Sequence, residues 1–206
     1  MSNLPIRKPN RLFNYDYARN GAYFVTVCVY KHQNFLGRVI VNDNDNIVCG
    51  RSFDGARLID GEYSAKIKLT PLGECVDETI KNVNNNNNVK IDKYVIMPNH
   101  IHLIVVICDK TGDRNFGGNA GDRGRSPLQY IVRNIKSYVS KYAGFAVWQK
   151  SFHDHIIRDE NDYRRIAEYI ETNPQKWFND CFYNEMPVGA TALGRPQSNT
   201  PTNKKE

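Results

Sequence analysis

The 206-residue chain is 40% hydrophobic and 11% aromatic, which suits one core-forming domain with tails and is tight for two. Lys and Arg outnumber Asp and Glu by 28 to 22, a formal charge of +6, compatible with a polyanionic partner but not diagnostic of one. The apolar run from Leu103 to Cys108 is far too short to cross a bilayer. The first residues, MSNLPIRKPN, lack the apolar segment of a signal peptide, so a cytoplasmic location with no membrane partner is expected. Cys28, Cys49, Cys75, Cys108 and Cys181 show no C-x-x-C spacing, which argues against a disulfide framework and a zinc ribbon. Cys28 and Cys108 lie in apolar stretches and read as small core residues.

Residues 1–20 read as a basic arm. Arg7, Lys8, Arg11, Arg19, Lys31 and Arg38 face only Asp16 over the first 38 positions. Gly21 to Tyr30 is rich in β-branched and aromatic residues and reads as a central strand. Gly37–Val41, an Asn/Asp turn and Ile47-Val48 suggest a hairpin, within a variable insertion spanning 38–68. Thr70-Pro71 opens a helix with a cap and a proline, and Leu72, Val76, Ile80 and Val83 follow at helical spacing. Asn84 to Asn88 reads as a loop.

Val89 to Met97 and Ile101 to Ile107 read as strands broken at Pro98-Asn99, followed by a glycine-rich flexible connector over 109–125. Ser126-Pro127 starts a helix with an apolar stripe of Leu128, Ile131, Val132, Ile135 and Val139. Its Arg133, Lys136 and Lys141 have no acid between 126 and 145. Ala146 to Arg158 reads as a strand, Asp159 to Asn173 as a helix stopped by Pro174, and 186–206 as a disordered tail. The pattern predicts an α+β fold, with helices packed on an antiparallel sheet of about four to five strands.

Two histidines one residue apart on a strand share a face, so His100 and His102 can aim two imidazoles at one point. An H-x-H tripeptide alone fits satisfied or exposed histidines equally well. Burying two rings beside Ile101, Leu103 and Ile104 is costly unless they are hydrogen-bonded or metal-bound, and imidazole suits several metals. Asn173 lies four residues after Tyr169 and shares its face if the turn stays helical, although the proline that follows disfavours that geometry. By periodicity alone, Tyr169 also fits a core tyrosine.

The stretch Tyr94-Val-Ile-Met-Pro-Asn-His-Ile-His-Leu-Ile104, with Trp148-Gln149, Phe152-His-Asp-His-Ile-Ile-Arg158, Tyr169-Ile-Glu-Thr-Asn-Pro174 and the Gly21-Ala-Tyr-Phe-Val-Thr-Val strand, resembles the single-tyrosine HUH transposases. The branch it is most similar to is the REP-associated tyrosine transposases. The resemblance covers roughly residues 11 to 178, apart from the insertion, and implies one HUH transposase domain over 21–178 with a ferredoxin-like HUH nuclease fold. It implies Tyr169 as the nucleophile, with His100, His102 and Asn173 as ligands of Mg²⁺ or Mn²⁺. It further implies cleavage and rejoining of single-stranded DNA near hairpin-forming repeats through a 5′-phosphotyrosine, by a monomer or homodimer.

Arg11, Arg19, Arg133, Lys136, Lys141 and Arg158 are candidate DNA phosphate contacts. Tyr138 and Tyr142 are rival nucleophiles without a ligand partner nearby in sequence. His153 and His155 form a second H-x-H, suited to hydrogen bonding or DNA contact, and Trp148 reads as core or as a stacking surface. Two other functions share these residues. One is a non-catalytic hairpin-binding relative, and the other a metal-dependent hydrolase using activated water, which would not require Tyr169.

Overall fold

A computed structural model describes residues 20–41, 65–83, 89–108 and 126–183. The basic arm with Arg11 and Arg19, the Ile47-Val48 end of the expected hairpin, the asparagine run, the glycine-rich connector and the tail lie outside the described residues.

The described strands are β1 (Gly21–Cys28), β2 (Gly37–Val41), β3 (Ala65–Leu69), β4 (Val89–Ile96), β5 (His100–Ile107) and β6 (His153–Ile157). The helices are α1 (Pro71–Val83), α2 (Pro127–Ala143) and α3 (Glu160–Thr172). Four strands form one antiparallel sheet in the order β4-β5-β1-β6. Because α1 precedes β4 and α2 links β5 to β6, this is the split β-α-β arrangement of ferredoxin-like folds. The expected α+β class with a four-stranded antiparallel sheet is therefore what the chain adopts.

Strand alternation divides the sheet into two faces. Tyr23, Val25 and Val27 of β1 and Ile101, Leu103, Val105 and Ile107 of β5 join Val76 and Ile80 of α1 and the α2 stripe in the main core. Phe24 and Thr26 of β1 and His102 and Ile104 of β5 point the other way, toward α3. In β4 the register shifts between Ile91 and Lys93. Asp92 is the extra residue of this bulge, so inward positions change from Val89 and Ile91 to Tyr94 and Ile96.

The helix ends follow the chemistry of their caps. Thr70 Oγ1 accepts from Gly73 N at 3.2 Å, and a side chain at Gly73 would collide with the Leu36 carbonyl, which its Cβ would meet at 1.9 Å. Ser126 and Gln129 form a reciprocal capping box at the start of α2, and Gly144 closes that helix at φ 75°.

Several expectations need correction. Ala146 to Arg158 is not one strand: only His153–Ile157 pairs with β1, and Trp148 makes an isolated bridge to Val29. The lead-in is held instead by Gln149 N donating to Cys28 O at 2.9 Å. The partner of Gly37–Val41 is Ala65–Leu69 at the far end of the expected insertion. Cys28 is buried as expected, whereas Cys108, at the end of β5, is exposed. Pro174 does not end helical geometry, because Asn173 keeps φ −58° and ψ −42° and a 3₁₀ turn continues over Asn173–Asn179. A proline near the start of a new turn sits where its missing N–H is not needed. That turn packs Trp177 on Met97 and on Val39 of the β2–β3 ribbon, fixing the segment after α3 against the sheet.

Candidate active site

The β4–β5 connection delivers the histidine pair. Met97 N bonds His100 O at 2.9 Å, while Pro98 O and Asn99 O accept from Leu36 N and Val29 N. The turn is thus held from both sides, and β5 begins at His100. Strand alternation then places His100 and His102 on the face away from the main core, 0% and 1% exposed, with ring centroids 4.5 Å apart.

Hydrogen bonding sets the state of each ring. Asn99 Nδ2 donates to His32 O at 3.2 Å and Phe182 O at 2.7 Å. Both are carbonyls and can only accept, so the amide oxygen must face His100 Nδ1, 2.8 Å away. Nδ1 therefore carries the proton. Burial, then the neighbouring His102 and His32, push the His100 pKa down to about 2, so the ring is neutral and Nε2 keeps a bare lone pair. That atom is buried without a protein partner. His102 lies with Nδ1 2.8 Å from Thr26 Oγ1, and burial lowers its pKa to about 3. Its Nε2 is 3.3 Å from the Tyr169 hydroxyl.

Tyr169 reaches this point because α3 is docked at several places. Ile166, Ala167 and Ile170 pack on Ile104, each fully buried isoleucine being worth about 1.5–3 kcal/mol. Tyr163 donates to the bulged Asp92, and Lys93 pairs with Glu171. Asp159 caps the helix by accepting from Asp162 N at 2.8 Å. Tyr169 is 37% exposed, so it is not a core tyrosine. Its ring lies edge-on to Phe24 and 5.2 Å from His102 between centroids. Burial, then the charge of Asp180, push its pKa up to about 12, while the Asn173 side chain opposes the shift.

Asn173 stays on the Tyr169 face because its backbone remains helical. Its Nδ2 donates to Asp180 Oδ2 at 3.3 Å, while its Oδ1 is buried without a protein partner. Ligand atoms of His100, His102 and Asp180 lie within 4.8 Å of one another. Two neutral imidazoles and a carboxylate lie together, with the unpartnered Asn173 amide oxygen on the neighbouring helix end; such donors suit a divalent cation.

Asp180 was not legible as part of this cluster, since it lies beyond Pro174 with no motif around it. Thr26, His32 and Phe182 carried no sequence signal either. His32 has φ 52° and follows Lys31 at φ 55°, unusual for residues other than glycine. It stacks on Phe182 and presents to Asn99 the carbonyl that orients its amide. Asn99, next to the H-x-H, was visible but had no assigned role.

The other candidates are not brought to this point. α2 packs on the opposite face of the sheet, and Tyr138 and Tyr142 are exposed on it, as are Arg133 and Lys141. Lys136 donates to the carbonyls of Lys150 and Ser151 at 3.1 and 3.2 Å. Arg158 is exposed just after β6. His155 pairs with Asp162 at 2.8 Å, and Trp148 is buried. Among the described residues no helix is long and apolar enough to cross a membrane.

No protein-family model matches the chain. A Haemophilus influenzae protein, described as uncharacterized, is 31% identical over 190 residues, or 86% of this chain and 93% of the relative. An Escherichia coli K12 protein named REP-associated tyrosine transposase is 28% identical over 109 residues, so the match spans 52% of this chain and 58% of that protein. A solved structure of a REP-associated tyrosine transposase bound to a REP hairpin aligns over 95% of this chain and 98% of its own, with a TM-score of 0.49 at 16% identity. The motifs around His100, Trp148, Phe152 and Tyr169 stand in order, and over about half its length the chain is similar to a protein named as a REP-associated tyrosine transposase.

Proposed function

We propose that this chain cleaves and rejoins single-stranded DNA near hairpin-forming repeats, with Tyr169 as nucleophile. The observation that carries the proposal is the Tyr169 hydroxyl 3.3 Å from His102 Nε2, beside a buried donor set with lone pairs unused by the protein. His100, His102 and Asn173 would hold Mg²⁺ or Mn²⁺. Such an ion supplies electrostatic stabilisation of charge developing on the scissile phosphate.

The chain's own groups do the rest. Asn99 and Thr26 hold the imidazoles in position. The partly exposed phenol is open to a strand lying on the α3 face. Its oxygen forms a bond to phosphorus as the bond to the 3′ oxygen breaks, and the phenolic proton is lost. The products are a 5′-phosphotyrosine and a 3′-hydroxyl that takes up a proton. Because the new ester conserves the bond, another 3′-hydroxyl can attack it and restore the phenol. A pKa near 12 makes the free phenol a poor nucleophile at neutral pH, so its proton has to leave as the bond to phosphorus forms. Arg11, Arg19, Arg133, Lys136, Lys141 and Arg158 are proposed as contacts along the DNA backbone.

The test is incubation with labelled single-stranded hairpin DNA and Mn²⁺, read on a denaturing gel. A covalent protein–DNA band that Tyr169→Phe abolishes is the expected result. Cleavage that survives Tyr169→Phe without any covalent band would replace this reading with a hydrolase. Binding across several hairpins and metals without cleavage would favour a non-catalytic binder.

A further inference from the structure

We infer that Asp180 belongs to the same centre, as a carboxylate ligand to the divalent ion and as the residue that turns the Asn173 amide oxygen toward it. The inference rests on the metal-dependent reading above and extends its donor set beyond the tyrosine helix.

An amide has one donating end and one accepting end, and a carboxylate only accepts. Since Asp180 Oδ2 lies 3.3 Å from the Asn173 nitrogen, the reversed amide would set two acceptors against each other. The oxygen of Asn173 is therefore committed to the side where it has no protein partner, as is His100 Nε2. Asp180 is itself held from both directions. Its backbone N–H donates to Trp177 O at 3.1 Å, and its Oδ1 accepts from Phe182 N at 2.7 Å. A ligand atom of this side chain lies within 4.8 Å of those of His100 and His102.

In the metal-free protein its charge opposes ionisation of Tyr169, Cys28 and Cys181, and a cation among these donors would counter that field. An added carboxylate suits an oxygen-preferring ion such as Mn²⁺ or Mg²⁺. It also ties the segment after α3 to the metal, since the Phe182 ring packs tilted against His100 with centroids 4.7 Å apart.

The experiment is Mn²⁺ titration of the full chain by calorimetry and electron paramagnetic resonance, without DNA, comparing wild type, His102→Ala and Asp180→Asn. Asp180→Asn keeps an oxygen to cap Phe182 N and removes the charge. Its Mn²⁺ affinity is expected to fall about 10–100-fold, with an unchanged far-ultraviolet spectrum in the metal-free state. Wild-type affinity in Asp180→Asn overturns the inference while leaving the metal reading intact. No Mn²⁺ binding by the wild type overturns both. Should Asp180→Asn not fold, the Asp180 carboxylate ¹³C shift of the wild type on adding diamagnetic Mg²⁺ decides: a shift saturating with the ion supports ligation, and an unmoved signal overturns it.

Discussion

On β1 and β5 alternate residues meet two different environments. Tyr23, Val25, Val27, Ile101, Leu103 and Val105 are closed under α1 and α2 in the main apolar core. One position along, Thr26, His100 and His102 are buried to a similar degree, yet they form a polar cluster in which Thr26 and Tyr169 contact His102 and His100 Nε2 has no protein partner. The first face gains stability from burial. The second gives some of it up by desolvating imidazoles that would otherwise take up protons. Burial alone thus does not separate core from site.

Changes on the two faces should therefore separate stability from chemistry. The largest effect is expected from Tyr169→Phe, which removes the covalent DNA adduct altogether while leaving the melting temperature close to wild type, since only a partly exposed hydroxyl is lost. Equal loss of adduct and folded protein would break the contrast. Leu103→Ala is the counterpart on the apolar face, where a fully buried side chain leaves a cavity. It should cost about 2–5 kcal/mol in denaturant unfolding, with Mn²⁺ affinity unchanged while the protein is folded.

A third test uses pH. The unfolded chain protonates each histidine near pH 6.5, whereas the folded, metal-free protein keeps His100 and His102 neutral until about 2 and 3. Between these values the unfolded state binds more protons, so the contribution is fully present above pH ~6.5 and is lost as pH falls. Each histidine should remove about 1.4 kcal/mol per pH unit below that point. His102→Ala should remove about half of this slope, and an unchanged slope would show that the pair is not buried neutral. The smallest effect is expected at Lys141 on exposed α2. Lys141→Ala should weaken single-stranded DNA binding uniformly across sequences and reduce the salt-dependence slope by about one.

Much of the fold was legible because the signals were local. Ser126-Pro127 and the stripe from Leu128 to Val139 specify α2 within one segment. The alternation after Pro98-Asn99 places both histidines on one face without knowledge of the partner strands. What escaped depends on contacts distant in sequence. The β2–β3 pairing joins residues across a long connection, so the nearer Ile47-Val48 was the natural partner to expect. Ala146 to Arg158 has strand composition, but its first half is held by single bonds to β1 rather than a ladder. Tyr169 and Asn173 were visible as a helical pair. Asp180 follows a 3₁₀ turn whose Trp177 packs on Met97 and Val39, and no short motif announces that arrangement. His32 depends on a left-handed backbone at two consecutive residues, which composition does not signal.

The most direct measurement is peptide mapping by mass spectrometry of the wild-type protein after reaction with hairpin-flanked single-stranded DNA and Mn²⁺. The nucleotide-bearing peptide is expected to contain Tyr169, linked through a 5′ phosphate. A nucleotide on Tyr138 or Tyr142, on the opposite side of the sheet, or cleaved DNA without any modified peptide, would contradict the assignment of Tyr169 as the nucleophile.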